Sequence, residues 1–285
     1  MALEIKTPGV FIRELNAIPN AIVGVETAVP VFVGYTEIAN KDGHPVTLVP
    51  TPIGSVAEYS RIFGSAYQAS FQVEPAVDGD ADFLAGGQGY KLSAGKNFNL
   101  YDSIRLFYAN GGGHCFIVST GSYADDLAQR ASTLQAGLAA VHDLAGPTML
   151  VIPEATLLEL KDYRTLRQAM LKQCFDKQDR VAILDVIGTD RLPPTAGAGN
   201  PPASPKAVED YLHDKVADFR DGLDAAPESL KYGMAYAPFL ETSLVAASDF
   251  SFDNFDSSSQ QTVTTVVESE IDRLYPAPDS RGQSL

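Results

Sequence analysis

From about residue 98 to 240 the chain alternates continuously apolar segments with amphipathic ones, and this alternation constrains its fold more than any other feature. Cys115-Phe116-Ile117-Val118, Thr148-Met149-Leu150-Val151-Ile152, Arg180 to Val186 and Gly233 to Ala237 read as strands. The apolar runs lack a polar face, which fits strands buried on both sides, as in a parallel sheet. Between them lie helical stripes. Leu127, Ala131, Leu134, Leu138 and Val141 follow a Ser122 cap, and Tyr163, Leu166, Met170 and Cys174 share a face within 155–175. Val208, Leu212, Val216 and Phe219 follow Ser204-Pro205, a cap and first-turn proline in the expected order. This alternation predicts an α/β fold, a mostly parallel sheet with helices on both faces.

The first hundred residues add to that frame. Ala28 to Tyr35 reads as a buried strand entered through Pro30, and Val46-Thr47-Leu48-Val49 as a second strand after a turn at Lys41-Asp42-Gly43. Gly54 to Phe63 is a short helix, and Tyr101 to Asn110 another, stopped by Gly111-Gly112-Gly113. Residues 26–64 and 98–247 form the α/β core in this reading. Residues 65–97 lack core periodicity and are expected to be a surface insertion, Pro193 to Pro205 a surface loop, and 248–285 a linker or tail that includes the β-branched run Val263 to Val267. Residues 1–25 form an extended N-terminal arm, in which Val10-Phe11-Ile12-Arg13-Glu14 has β-propensity but no partner strand nearby. Such a strand must pair elsewhere, on the edge of its own core or on another chain.

Composition narrows the function classes. The 285 residues carry a formal charge of −15, and no stretch is dense in Lys and Arg, which disfavours nucleic acid and anionic membrane surfaces as partners. No apolar run approaches the length of a membrane span, so direct membrane insertion is not expected. Met1 to Lys6 lacks the pattern of a secretory signal, and the two cysteines, Cys115 and Cys174, sit in apolar patterns as core thiols. Synthesis in the cytoplasm, in a reduced state, is the expectation.

Several motifs approach a site without completing one. Gly89 to Asn97 resembles a phosphate loop with one residue too many between its glycines, and no apolar strand precedes it. Gly111-Gly112-Gly113 precedes a strand, whereas a dinucleotide-binding glycine turn follows one. Asp78, Asp80 and Asp82 open like a calcium loop, but Phe83 and Gly89 stand where glycine and glutamate are required. His114 and Cys115 are adjacent on a strand and point to opposite faces, and Val118-Ser119-Thr120-Gly121 lacks the first glycine of a nucleophile elbow. The best enzyme candidates are Glu154 and Asp185, each near the C-terminal end of a parallel strand, which would suit an α/β hydrolase-like or phosphate-handling enzyme. Fold position alone does not make them catalytic. No catalytic, cofactor or metal set is assigned.

Lys6-Thr7-Pro8-Gly9-Val10-Phe11-Ile12-Arg13-Glu14 resembles the opening of contractile tail sheath proteins. The likeness continues through Ile22 to Thr36 and resumes from Phe107 to Val118, and is nearest to sheaths of extracellular contractile injection systems. The resemblance implies a non-enzymatic subunit that stacks as six-membered rings around an inner tube and drives the tube out by contraction. It implies that Thr7, Pro8, Gly9, Val10, Phe11, Ile12, Arg13 and Glu14 form an arm pairing with a neighbour's sheet. Implied partners are other copies of the chain, the inner tube protein, and baseplate and cap proteins. The implied location is the bacterial cytoplasm during assembly. The resemblance also implies a C-terminal part, beyond Leu285, that would complete the arm-binding sheet. An adaptor or baseplate-like component of such a particle is the related alternative.

Overall fold

The computed structural model describes residues 27–77, 81–85, 87–189 and 204–275. The arm residues Thr7 to Glu14, Asp78 and Asp80 of the acidic triplet, and most of the 193–205 loop lie outside them. In chain order the strands are β1 (Pro30–Thr36), the hairpin β2 (Asn40–Lys41) and β3 (His44–Pro45), β4 (Thr51–Ile53), β5 (Phe71–Pro75), β6 (Phe83–Ala85), β7 (Gln88–Ala94), β8 (Cys115–Ser122), β9 (Met149–Val151), β10 (Val181–Asp185) and β11 (Gly233–Tyr236). The helices are α1 (Val56–Phe63), α2 (Leu100–Ala109), α3 (Arg130–Ala140), α4 (Leu160–Lys177), α5 (Pro205–Asp221), α6 (Pro227–Leu230) and α7 (Ser257–Leu274).

The central sheet has the order β11-β10-β9-β1-β8-β4. Five of its strands are parallel, and β4 runs antiparallel on the β8 edge. Every residue of β1 is buried, as its unbroken apolar sequence requires of a central strand covered on both sides. Val31, Val33 and Tyr35 face the layer of α3 and α4, with Leu134, Leu138, Leu166 and Met170. Phe32 faces α1 and α2, with Tyr59, Phe63, Leu100 and Ile104. The fold is therefore α/β, mostly parallel, with helices on both faces. Residues 71–94 form a separate antiparallel sheet of order β5-β7-β6, which packs against α7.

Four local readings of the sequence need correction. The second strand is Thr51–Ile53, and Val46 to Val49 contributes only a bridge from Thr47 to Ser119, because Leu48 takes a left-handed backbone (φ 58°) that a strand cannot hold. Ser122 ends β8 rather than capping a helix. Asp126 opens a 3-10 turn, and α3 begins only at Arg130. The α5 stripe is only partly covered, with Phe219 buried and Val216 exposed. The β-branched run Val263 to Val267 is helical, inside α7, where Asp256 caps the first turn through the Ser259 amide at 2.7 Å.

Candidate functional site

In the β1–β9 half of the sheet the chain leaves β1 toward β8 and leaves β9 toward β10, so the connections diverge between these two neighbouring strands. A doubly wound fold binds its ligands at that divergence, outside the C-terminal strand ends. Glu154 sits there, in a 3-10 turn (Pro153–Leu157) directly after β9, and is fully buried. Its Oε1 accepts hydrogen bonds from the backbone amides of Leu100 at 3.0 Å and Asn99 at 3.3 Å, at the N-terminus of α2. Free amides at a helix N-terminus suit an anion, and here the chain's own carboxylate takes that place.

The opposite wall is Gly34 of β1. A Cβ built on it would overlap the Glu154 carboxyl group, so glycine is what lets the side chain enter. Oε2 has no hydrogen-bond partner. Burial is the main cause that pushes the Glu154 carboxyl up to about 7, against the Leu100 amide, its own backbone amide, the Asn99 amide and the Arg130 guanidinium, which favour its charged form. The crevice is thus filled from within.

Asp185, at the end of β10, belongs to a different environment. Burial raises its carboxyl above the ordinary range, and its carbonyl accepts from the Tyr163 hydroxyl. No hydrogen bond links its side chain to the Glu154 cluster among the described residues. The two carboxylates proposed as an enzyme pair therefore have separate partners. The Glu154 cluster itself was only half visible in the sequence. The position of Glu154 after an apolar strand marked it, whereas the roles of Gly34 and of the Asn99–Leu100 amides had no local signal.

The remaining motifs resolve into structural roles. Residues Gly89 to Ala94 lie in the antiparallel strand β7, and the Lys96 Nζ donates to the carbonyls of Tyr123, Ala124 and Asp125 at 3.0, 3.2 and 2.9 Å. Gly111 ends α2 in a left-handed turn (φ 82°). Ser119 Oγ is hydrogen-bonded to Thr36 Oγ1 at 2.7 Å. Cys115 and Cys174 are free buried thiols, pushed up to about 11 and about 12 chiefly by burial. Thiols so far from ionisation are poor nucleophiles. Among the described residues no group of three or more His, Cys, Asp or Glu side chains could hold a metal ion, and no helix is long and apolar enough to cross a membrane.

No protein-family model and no curated protein matches the chain. Among solved structures it is similar to a chain of the anti-feeding prophage baseplate in the contracted state. That match has 18% identity and a TM-score of 0.45, covering 90% of this chain and 50% of that one. It is also similar to a chain of the six-fold symmetrised anti-feeding prophage baseplate, with 20% identity and a TM-score of 0.32, covering 76% of this chain and 54% of that one. The chain spans about half the length of the solved chains it matches.

Proposed function

We propose that the chain is a structural subunit of a contractile particle, specifically a sheath subunit that packs with copies of itself around an inner tube, and that it is not an enzyme. The observation that carries this reading is a sheet face on β9, β10 and β11 that the described residues cover only in part. The strand registers place Met149, Val151, Val181, Ile183, Met234 and Tyr236, with the single carboxylate Asp185, on one face of β9, β10 and β11. The intervening residues Leu150, Ala182 and Leu184 belong to the core under α4, on the opposite face. Met234 and Tyr236 are 48% and 56% exposed. A mostly apolar sheet face of this kind is suited to burial against a neighbour.

The resemblance of residues 6–14, 22–36 and 107–118 to contractile sheath proteins supports the same reading. The described parts of the latter two segments include β1 and the start of β8, which pair in parallel at the centre of the sheet, Val31 opposite Phe116 and Val33 opposite Val118. The self-filled crevice at Glu154 speaks against a substrate site there. Thr7 to Glu14 would link subunits by adding a strand to a neighbour's sheet. Neighbouring copies, the tube protein, and baseplate and cap proteins are the proposed partners, with assembly in the bacterial cytoplasm.

The test is negative-stain microscopy of the chain co-produced with its particle partners. Long ringed tubes are the expected result. A variant lacking residues 1–15 is expected to keep its circular dichroism spectrum and lose the tubes, and Phe11→Asp to weaken assembly more than Glu4→Ala. Complete chains that remain monomers beside assembled partners would sink the sheath reading. Incorporation only at the end of a tube would transfer the chain to the baseplate-like alternative. Glu154→Gln and Asp185→Asn are expected to alter stability or assembly without abolishing any turnover.

A further inference from the structure

The segment Lys96 to Leu100 joins the antiparallel β5–β7 sheet to α2, and it is pinned at nearly every residue. Lys96 is held by three carbonyls of the loop after β8, and Asn97 O accepts from Arg130 Nη2 at 2.7 Å. The Phe98 ring packs on Tyr123, Tyr67 and Tyr35 with centroids 4.6, 5.0 and 5.5 Å away. The Asn99 side chain donates to Pro153 O at 3.4 Å and to Thr156 Oγ1 at 3.2 Å. The Asn99 and Leu100 amides donate to Glu154.

We propose that Glu154 is a proton-linked latch that holds the Lys96–Leu100 segment, and through it the β5–β7 sheet, on the core. The geometry requires the two oxygens to behave differently. Oε1 receives both amides and can keep them in either protonation state. Oε2 lies against Gly34, buried and without a partner. A proton on Oε2 makes the group neutral, and the crevice can stay dry. An ionised group leaves a buried charge with one oxygen unsolvated, which is costly. Hydration of that oxygen requires the crevice to open, and the wall that the carboxyl itself holds is the Asn99–Leu100 turn.

The surroundings compensate this charge only in part. Arg130, from α3, is the cation facing it, and it is already engaged with Asn97 O and with the Phe98 ring at 5.6 Å. Among the described residues two phenols, Tyr59 and Tyr123, also couple to it electrostatically. Tyr59 of α1 has a buried hydroxyl without a partner, Tyr123 follows β8, and Tyr35 of β1 is hydrogen-bonded to Thr133. Tyr163 of α4 is committed to the Asp185 carbonyl. Burial raises the carboxyl to about 7, and burial likewise raises the Tyr59 and Tyr123 phenols above their ordinary range. A group raised in the folded state binds its proton more tightly there. The latch is therefore closed when protonated and loosens as pH rises through about 7.

The experiment is hydrogen exchange of the full chain at pH 6 and pH 8.5, read as protection factors corrected for intrinsic exchange, with a carbon-13 titration of the Glu154 carboxyl. Protection of the Asn99 and Leu100 amides is expected to fall between the two pH values by roughly tenfold to a hundredfold in the wild type. It should stay constant in Glu154→Gln, whose neutral amide cannot titrate. Equal changes in both proteins would overturn the latch. So would a carboxyl midpoint near the ordinary 4.5. Should Glu154→Gln fail to fold, the wild type decides alone. Loss of protection that tracks a midpoint near 7 supports the latch, and constant protection through that midpoint refutes it.

Discussion

The buried carboxylate of Glu154 caps α2 from across the fold, its Oε1 accepting the Leu100 amide at 3.0 Å although 54 residues separate the two. A helix N-terminus ordinarily takes its cap from the residue just before it. Here Asn99, in that position, makes no side-chain cap, and the 3-10 turn after β9 supplies one instead. The long-range bond ties the α2 layer to the central strands.

Burial of that carboxyl, which outweighs the bond's preference for the charged form, makes the stability of the fold pH-dependent in a definite sense. Because the folded-state carboxyl is raised from 4.5 to about 7, its contribution is complete below about pH 4.5 and is lost as pH rises through 7. By linkage the loss is on the order of 3 kcal/mol. Urea unfolding midpoints should therefore decline from pH 6 to pH 8 more steeply in the wild type than in Glu154→Gln. Parallel curves for the two proteins would count against the assignment.

Gly34→Ala tests the opposite wall of the crevice. The added methyl group would meet the Glu154 carboxyl, itself enclosed on every side. Overpacking in a core costs about 1–3 kcal/mol, and displacing the cap should add to this. The effect should shrink when Glu154 is also truncated, as in Gly34→Ala with Glu154→Ala. A double-mutant cycle in urea reads that coupling, and simple additivity would show that the two residues do not share the crevice.

Arg167 carries a second buried charge, 1% exposed, with its guanidinium 4.6 Å from the Phe219 ring centroid and 5.4 Å from that of Tyr163. It donates to the Gly222 carbonyl, so one side chain fastens the C-terminal end of α5 to α4. Arg167→Ala removes both the packing and the hydrogen bond and should cost about 3–5 kcal/mol. Arg167→Met keeps the apolar contact with Phe219 and should cost less. Thermal denaturation of the two variants orders them, and equal losses would assign the whole effect to the hydrogen bond.

The legible part of this fold was the part governed by periodicity. The apolar runs at Val31 to Tyr35 and Cys115 to Val118 fall in strands because a strand buried on both faces has no alternative composition. The run within Arg180 to Val186 forms β10 although one of its faces is only partly covered. The stripe Tyr163, Leu166, Met170 and Cys174 is buried as its spacing implies. What was hidden depended on tertiary context. Val263 to Val267 has the β-branched character of a strand, yet a capped helix packing on β5 overrides that preference. Val208 to Phe219 has the spacing of a covered face, and spacing does not say how much of that face finds a neighbour. The Glu154 cap joins residues 54 positions apart through a glycine on a third element, which leaves no trace in any local window.

The link between α7 and the antiparallel sheet includes one buried hydroxyl. Ser259, 2% exposed, accepts the Val73 amide of β5 at 2.8 Å. Next to it, Asp256 N donates to Phe71 O at 3.1 Å, and Asn254 Nδ2 donates to Ala69 O at 2.9 Å. The Phe71 ring packs on Phe250 and Phe255, so the contact is apolar around the hydroxyl. Ser259→Ala would leave the Val73 amide buried and unpaired, at a cost of about 1–3 kcal/mol. The loss falls on the contact between α7 and β5 rather than on the central sheet. Global melting should therefore move little, while limited proteolysis should cut within α7 sooner than in the wild type. Ser259→Thr keeps an acceptor and should restore resistance in part. Unchanged cleavage of α7 in Ser259→Ala would mean that the aromatic contacts hold the helix without the hydroxyl.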